Sequence, residues 1–142
     1  MKTKYSSVLK VKKQALDKAE STLSKARNRQ RQSELELELA LKQYEEIKLP
    51  SSGSVQNLRQ SLEFLDVARV FKEEKKQRVE LSKKEVAHYQ MLYKKANLEY
   101  EKIKYLESEE LKELQKKLKK EEEKFIDEIA ISRHFYGEKT ND

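Results

Sequence analysis

Between Tyr5 and Ile47 the apolar and small residues recur at alternating intervals of four and three. One seam position takes Tyr5, Lys12, Ala19, Ala26, Ser33, Ala40 and Ile47, and the other takes Leu9, Leu16, Leu23, Gln30, Leu37 and Tyr44. Spacing of that kind, sustained over successive heptads, is the pattern of a coiled-coil strand. The stretch ELELELAL, Glu34 to Leu41, alternates as a β-strand would. It lies inside the heptad frame, and Glu and Leu favour helix, so helix is expected there. A second seam opens with Val55, Leu58, Leu62 and Leu65, and weakens over KEEKKQR. It resumes with Val79, Val86, Tyr89, Tyr93, Ala96, Tyr100 and Ile103. After a four-residue slip it continues through Leu111, Leu114, Leu118, Phe125 and Ile129. Such a slip is a stutter, which locally unwinds a supercoil.

The one cluster of helix breakers is LPSSGS, Leu49 to Ser54. Pro50 pushes Leu49 out of the helical region, Gly53 admits backbone angles other residues avoid, and Ser54 can cap a new helix. The expectation is a single hairpin over residues 1–142. Helix one covers about 4–48, the turn 49–54, helix two about 55–136, and a frayed tail 137–142, with Gly137 as the stop. Folding at residues 51 to 52 sets Arg27 to Arg31 opposite Glu73 and Glu74, and Tyr89 near Ala15. It also exhausts helix one near residue 100. The fold class expected is all-α: a long two-helix antiparallel coiled-coil hairpin whose second helix is longer and overhangs at the C-terminus. A parallel dimer of long helices is the alternative. The overhang keeps its apolar residues, culminating in FIDEIAISRHFYG, and an unpaired apolar stripe is a binding surface.

Composition agrees with helix over disorder only because the apolar residues are so regularly placed. Of the 142 residues 41% are charged, with two Gly, one Pro and no Cys. The absence of Cys rules out disulfides and thiolate metal sites. No apolar run approaches the length of a signal peptide core or a membrane span, so a soluble, cytoplasmic protein without direct membrane insertion is expected. The net charge of +6 is uneven: residues 1–33 hold ten Lys/Arg against two acids, and the stretch from Glu107 onward holds eight against eleven. Lys10, Lys12, Lys13, Lys18, Lys25, Arg27, Arg29 and Arg31 could track phosphates. Acids are interspersed elsewhere, however, and the tyrosines fall on the seam, so no nucleic acid is expected as partner.

Catalytic chemistry finds no foothold. His88 and His134 belong to no metal-binding spacing, and two glycines cannot build a phosphate-binding loop. Runs such as Glu121 to Glu123 coat a helix, whereas acid–base catalysis needs a cleft to desolvate one carboxylate. No catalytic residue, no metal and no cofactor are expected; the chain is not an enzyme.

The opening KYSSVLKVKKQALDKAESTLSKA, Lys4 to Ala26, resembles the start of the flagellar export protein FliJ family. It has an aromatic at Tyr5, the pair Val8-Leu9, and charged heptads ending in Leu23 to Ala26. The closing IDEIAISRHF is similar to that family's C-terminal Asp-Glu-Ile-Ala signature, here Asp127, Glu128, Ile129 and Ala130. The resemblance implies a non-enzymatic coiled coil of the flagellar type III export apparatus, like the stalk of a rotary ATPase. It would be peripherally associated with that apparatus at the inner membrane. The implied partners are the hexameric export ATPase, the cytoplasmic part of the export gate membrane protein, and export chaperones. It further implies an ATPase-facing set of Tyr5, Val8, Leu9, Lys12, Phe125, Asp127, Glu128, Ile129 and Ile131. For the gate it implies Leu58, Leu62, Phe64 and Leu65. The competing class is a generic coiled-coil scaffold or chaperone that self-associates through the overhang.

Overall fold

Two helices form where the heptad spacing places them. The structure is a computed structural model and describes residues 2–140 of the 142. Helix α1 spans Ser6–Glu46 and α2 spans Val55–Thr140; no strand occurs among the described residues, and Glu34 to Leu41 is helical. The helices pack against each other as an all-α hairpin with the second helix the longer. By density of contacts the chain divides into two units, Met1–Lys13 with Leu98–Asp142, and Gln14–Asn97.

In the unit Gln14–Asn97 the pairing is antiparallel: Arg29 meets Glu85, and Glu36 meets Lys75. The core is thin. Leu16, Leu23, Ala26, Ala40 and Val79 are its buried apolar residues, with Ser82 buried beside them and its hydroxyl donating to the Val79 carbonyl at 2.7 Å. Ala26 is fully covered, so α2 approaches α1 closely at a position that admits no larger side chain. All thirteen residues assigned to the α1 seam are buried or half-buried in the structure.

The turn is built as its residues dictate. Gly53 sits at φ +136, a conformation side-chain-bearing residues rarely adopt. Ser54 Oγ accepts the Asn57 N–H at 3.2 Å and so caps α2. A Cβ at Gly53 would meet Asn57 Nδ2 at an ordinary 3.4 Å, so the obstacle is the backbone angle and not space. Gly53→Ala is therefore expected to cost about 1–2 kcal/mol, seen as a lower melting midpoint with the helix content at room temperature retained. An unchanged midpoint would mean that the turn does not constrain the fold.

In the other unit α1 begins beneath a local cap. The Thr3 N–H donates to Ser6 Oγ at 2.9 Å, while Thr3 Oγ1 accepts the Tyr5 N–H at 3.2 Å. This reciprocal closure satisfies first-turn donors much as a capping box does. Thr3 Oγ1 also donates to Glu107 at 3.4 Å, and Lys12 pairs with Glu99 at 3.0 Å, so the antiparallel sense holds here too.

The register differs from expectation. Arg29 lies on Glu85 and not on Glu73 or Glu74, and α1 is still paired at Glu107 and not exhausted near residue 100. The displacement is about one heptad. A seven-residue slide leaves the apolar pattern superimposed on itself, so seam spacing cannot choose between the two registers. Flanking charge can. The expected register would set Lys12 against Met91 or Leu92 and Glu36 against Val67 or Ala68, whereas the observed one gives both an opposite charge. The same slide carries the start of α2 beyond the end of α1. Val55, Leu58 and Leu62, expected in the seam, are consequently exposed, and half-burial begins at Ser61 and Leu65. Tyr89, expected near Ala15, is carried by the same slide toward Thr22; it lines a shallow groove with Ala15, Ala19 and Thr22.

Two smaller expectations also change. The half-buried line of α2 runs on in heptads through Ile103, Glu107, Glu110 and Leu114, so the seam itself does not slip; only the apolar residues beyond it do. Gly137 lies within α2, which continues to Thr140, and adopts no positive φ. The expected tail reaches residues 141 and 142, which lie outside the described residues.

Candidate docking surfaces

Three surfaces carry side chains that the fold leaves unused. The first is the overhang. From Gln115 to Gly137 every side chain is exposed. Phe125, Ile126, Ile131, Phe135 and Tyr136 are each more than half accessible, and Leu118 and Ile129 somewhat less. Phe135 and Tyr136 meet edge to face with centroids 6.2 Å apart. Asp127 and Glu128 are exposed between Phe125 and Ile129, an apolar face flanked by acid. A helix keeps such a face only at a cost in solubility, unless something covers it.

Of the expected ATPase-facing residues, the N-terminal four and the C-terminal five are not brought together. Tyr5, Leu9 and Lys12 are half-buried against α2, and Val8 is exposed beside them. Thr3 is tied to Glu107 at this end of α1, and Phe125 stands eighteen residues further on, about 27 Å along a helix. Lys12 is held by Glu99, and Lys4 Nζ sits 5.2 Å from the Tyr5 ring centroid. Glu107, half-buried, meets Thr3 at the start of α1, where a helix N-terminus favours negative charge; Glu109 and Glu110 beyond it are also half-buried. Glu110 Oε2 is buried with no hydrogen-bond partner among the described residues.

The second surface lies beside the turn, within the unit Gln14–Asn97. Phe64 is 72% exposed, and Leu58 and Leu62 are exposed with it, while Leu65 is half-buried in the seam. Phe64, Val67 and Phe71 line a mostly apolar groove of about 500 Å³ against Ala40 and Ile47. Below it the seam turns polar. Lys72 Nζ stands 4.2 Å from the Tyr44 ring centroid, and Lys75, largely covered, reaches Glu36 at 3.0 Å. That ammonium, by hydrogen bond and charge, holds the Glu36 carboxyl below the ordinary glutamate range. Val67 and Phe71 were missing from the expected set. Their spacing from Phe64, three and seven residues, repeats a helical face just beside the seam, and that signal was present in the sequence.

The third is a groove of about 360 Å³ floored by Leu23 and Tyr93 and edged by Arg27, Arg31 and Lys94. No cluster of His, Asp and Glu fit to hold a metal occurs among the described residues, and His88 packs edge-on against Tyr89 with centroids 5.3 Å apart. None of the described helices is long and apolar enough to cross a membrane.

With a capped two-helix hairpin and an apolar overhang in place, comparison with known proteins is decisive on family. The family model described as the flagellar FliJ protein matches residues 1–139. The chain belongs to the FliJ family. No curated protein and no solved structure gives a match. As a FliJ-family member it is an export-related coiled-coil protein of the flagellar system, in a family of non-catalytic components. Surfaces that accept partners are accordingly what its exposed side chains have to explain.

Proposed function

We propose that this FliJ-family chain is the stalk of the flagellar type III export apparatus. It docks through its C-terminal overhang into the hexameric export ATPase, promotes ring assembly and activity, and links the ring to the export gate and to export chaperones. It works in the cytoplasm, peripherally attached to the apparatus at the inner membrane. The observation that carries the reading is the overhang: Phe125, Ile126, Ile129 and Ile131 are exposed on the part of α2 that extends past the Thr3–Glu107 tie. A ring interior lined with apolar and polar side chains would bury them, while Asp127 and Glu128 set the rotational orientation. Tyr5, Val8, Leu9 and Lys12 then act at the rim, and their separation from Phe125 measures how deep the overhang enters. The test is binding. The full chain should co-sediment with assembled ATPase rings, and a chain ending at Lys120 should stay in the supernatant; retention by the shortened chain would refute the role.

Gate contact falls to the turn-side cluster of Leu58, Leu62, Phe64 and Leu65, widened by Val67 and Phe71. Phe64 is the residue least explained by packing, being exposed at the groove edge. Phe64→Ala should leave the melting midpoint unchanged within error and weaken binding to the purified cytoplasmic part of the gate by about tenfold or more, as loss of an aromatic anchor does. Unaltered affinity would remove the gate role from this surface.

A further inference from the structure

The groove between the helices at Leu23 and Tyr93 is charged in a way that the hairpin itself does not use. Arg27, Arg29 and Arg31 follow one another along α1. Residues two apart on a helix point to different sides. Arg29 turns to one flank and grips Glu85 through two contacts, at 2.7 and 3.3 Å. Arg27 and Arg31 turn to the other flank, where they edge the groove together with Lys94 of α2. All three are exposed, and none makes a hydrogen bond or ion pair among the described residues. Arg27 and Arg31 are one turn apart, a like-charge spacing that disfavours the helix. Glu20 at the far end of the groove is its sole acid.

We propose that this groove is a docking site for an acidic amphipathic helix of a partner protein. The helix presents carboxylates one turn apart to Arg27, Arg31 and Lys94 and an apolar residue to the half-buried Tyr93 ring. Dimensions fit that occupant: from Glu20 to Arg31 the α1 wall is twelve residues long, about 16 Å between its ends, or three turns of a helix. Arginine suits the task because its guanidinium can hold a carboxylate with two parallel bonds. Three cations beside one carboxylate over an apolar floor suit a short amphipathic helix better than a nucleic acid, which requires a longer run of phosphate contacts. Glu20 also gives the site a direction, since it repels the acidic end of the partner and favours a basic one.

The test uses the full chain and an alanine-based helical peptide bearing glutamates at i,i+4 with leucine between them, read by fluorescence anisotropy at physiological salt. Arg27→Gln/Arg31→Gln should weaken peptide binding by about tenfold or more. Lys18→Gln/Lys25→Gln, the same charge change elsewhere on α1, should leave it unaltered. Because Arg27 and Arg31 make no hydrogen bond or ion pair among the described residues, their double replacement should not lower the melting midpoint. A lowered midpoint would make them structural and overturn the proposal. So would equal weakening by both variants, which reports diffuse charge, or no binding of the peptide by the parent chain. Tighter binding of a duplex oligonucleotide lost in the same variant would reassign the groove to nucleic acid. Concentration-dependent dimerisation lost in that variant would reassign it to the acidic stretch of a second copy. The outcome is independent of whether the overhang enters a ring, since the groove lies within residues 14–97 and the overhang does not.

Discussion

A chain ending at Lys120 is expected to melt within about 2 °C of the full protein, because about 1 kcal/mol would be needed to move a domain of this size by roughly 4 °C. Among the described residues removed, none is part of the core: from Glu121 to Gly137 every side chain is exposed. The ties Thr3–Glu107, Lys12–Glu99, Arg29–Glu85 and Glu36–Lys75 between the helices lie before the cut. Far-ultraviolet ellipticity per chain should fall only by the turns removed. Ring binding should be lost with it. Stability and function are thereby separated in one variant, which a substitution in the seam could not do. A large drop in melting midpoint would show that the C-terminal segment folds back on the hairpin and is not free to dock.

Leu23→Ala should have the largest effect on the fold itself. Leu23 is 4% exposed, one of only five buried apolar residues among those described. Each core residue of a two-helix hairpin lies close to solvent on both flanks, so the vacated space opens to water instead of closing as a cavity. The cost is then mainly that of transfer, about 2–3 kcal/mol, at the lower end for buried leucines. On a core this thin that is a substantial share of the total, and the melting midpoint should fall by about 10 °C. Leu35, 66% exposed on the outer face of the same helix, is the control: Leu35→Ala should stay within about 0.5 kcal/mol. Comparable losses at both positions would place the seam elsewhere.

The contrast between those two leucines was visible in the sequence, because heptad phase alone separates Leu23 from Leu35. The turn was equally legible: Pro50, Gly53 and Ser54 each have a conformational reason to be where they are, and Ser54 does cap α2. Register was not. A pattern that repeats every seven residues fits itself after a seven-residue slide, and the decision falls to flanking pairs such as Lys12 with Glu99, which spacing does not weigh. Exposure of Val55, Leu58 and Leu62 follows from that slide. Gly137 misled for a different reason. Glycine permits a helix to end but does not compel it, and no positive φ is adopted there. Of the candidate surfaces, the overhang could be inferred from the unequal helix lengths. The groove edged by Arg27, Arg31 and Lys94 could not, because it depends on which of three successive arginines the partner helix engages.

The central claim is that the exposed apolar segment after Lys120 acts on the export ATPase. It is tested most directly by measuring ATP hydrolysis by the purified flagellar export ATPase alone, with the full chain, and with the chain ending at Lys120. The account predicts that the full chain raises the rate and the shortened chain does not. Equal stimulation by both would move the contact to the hairpin, and no stimulation by either would contradict the stalk role altogether.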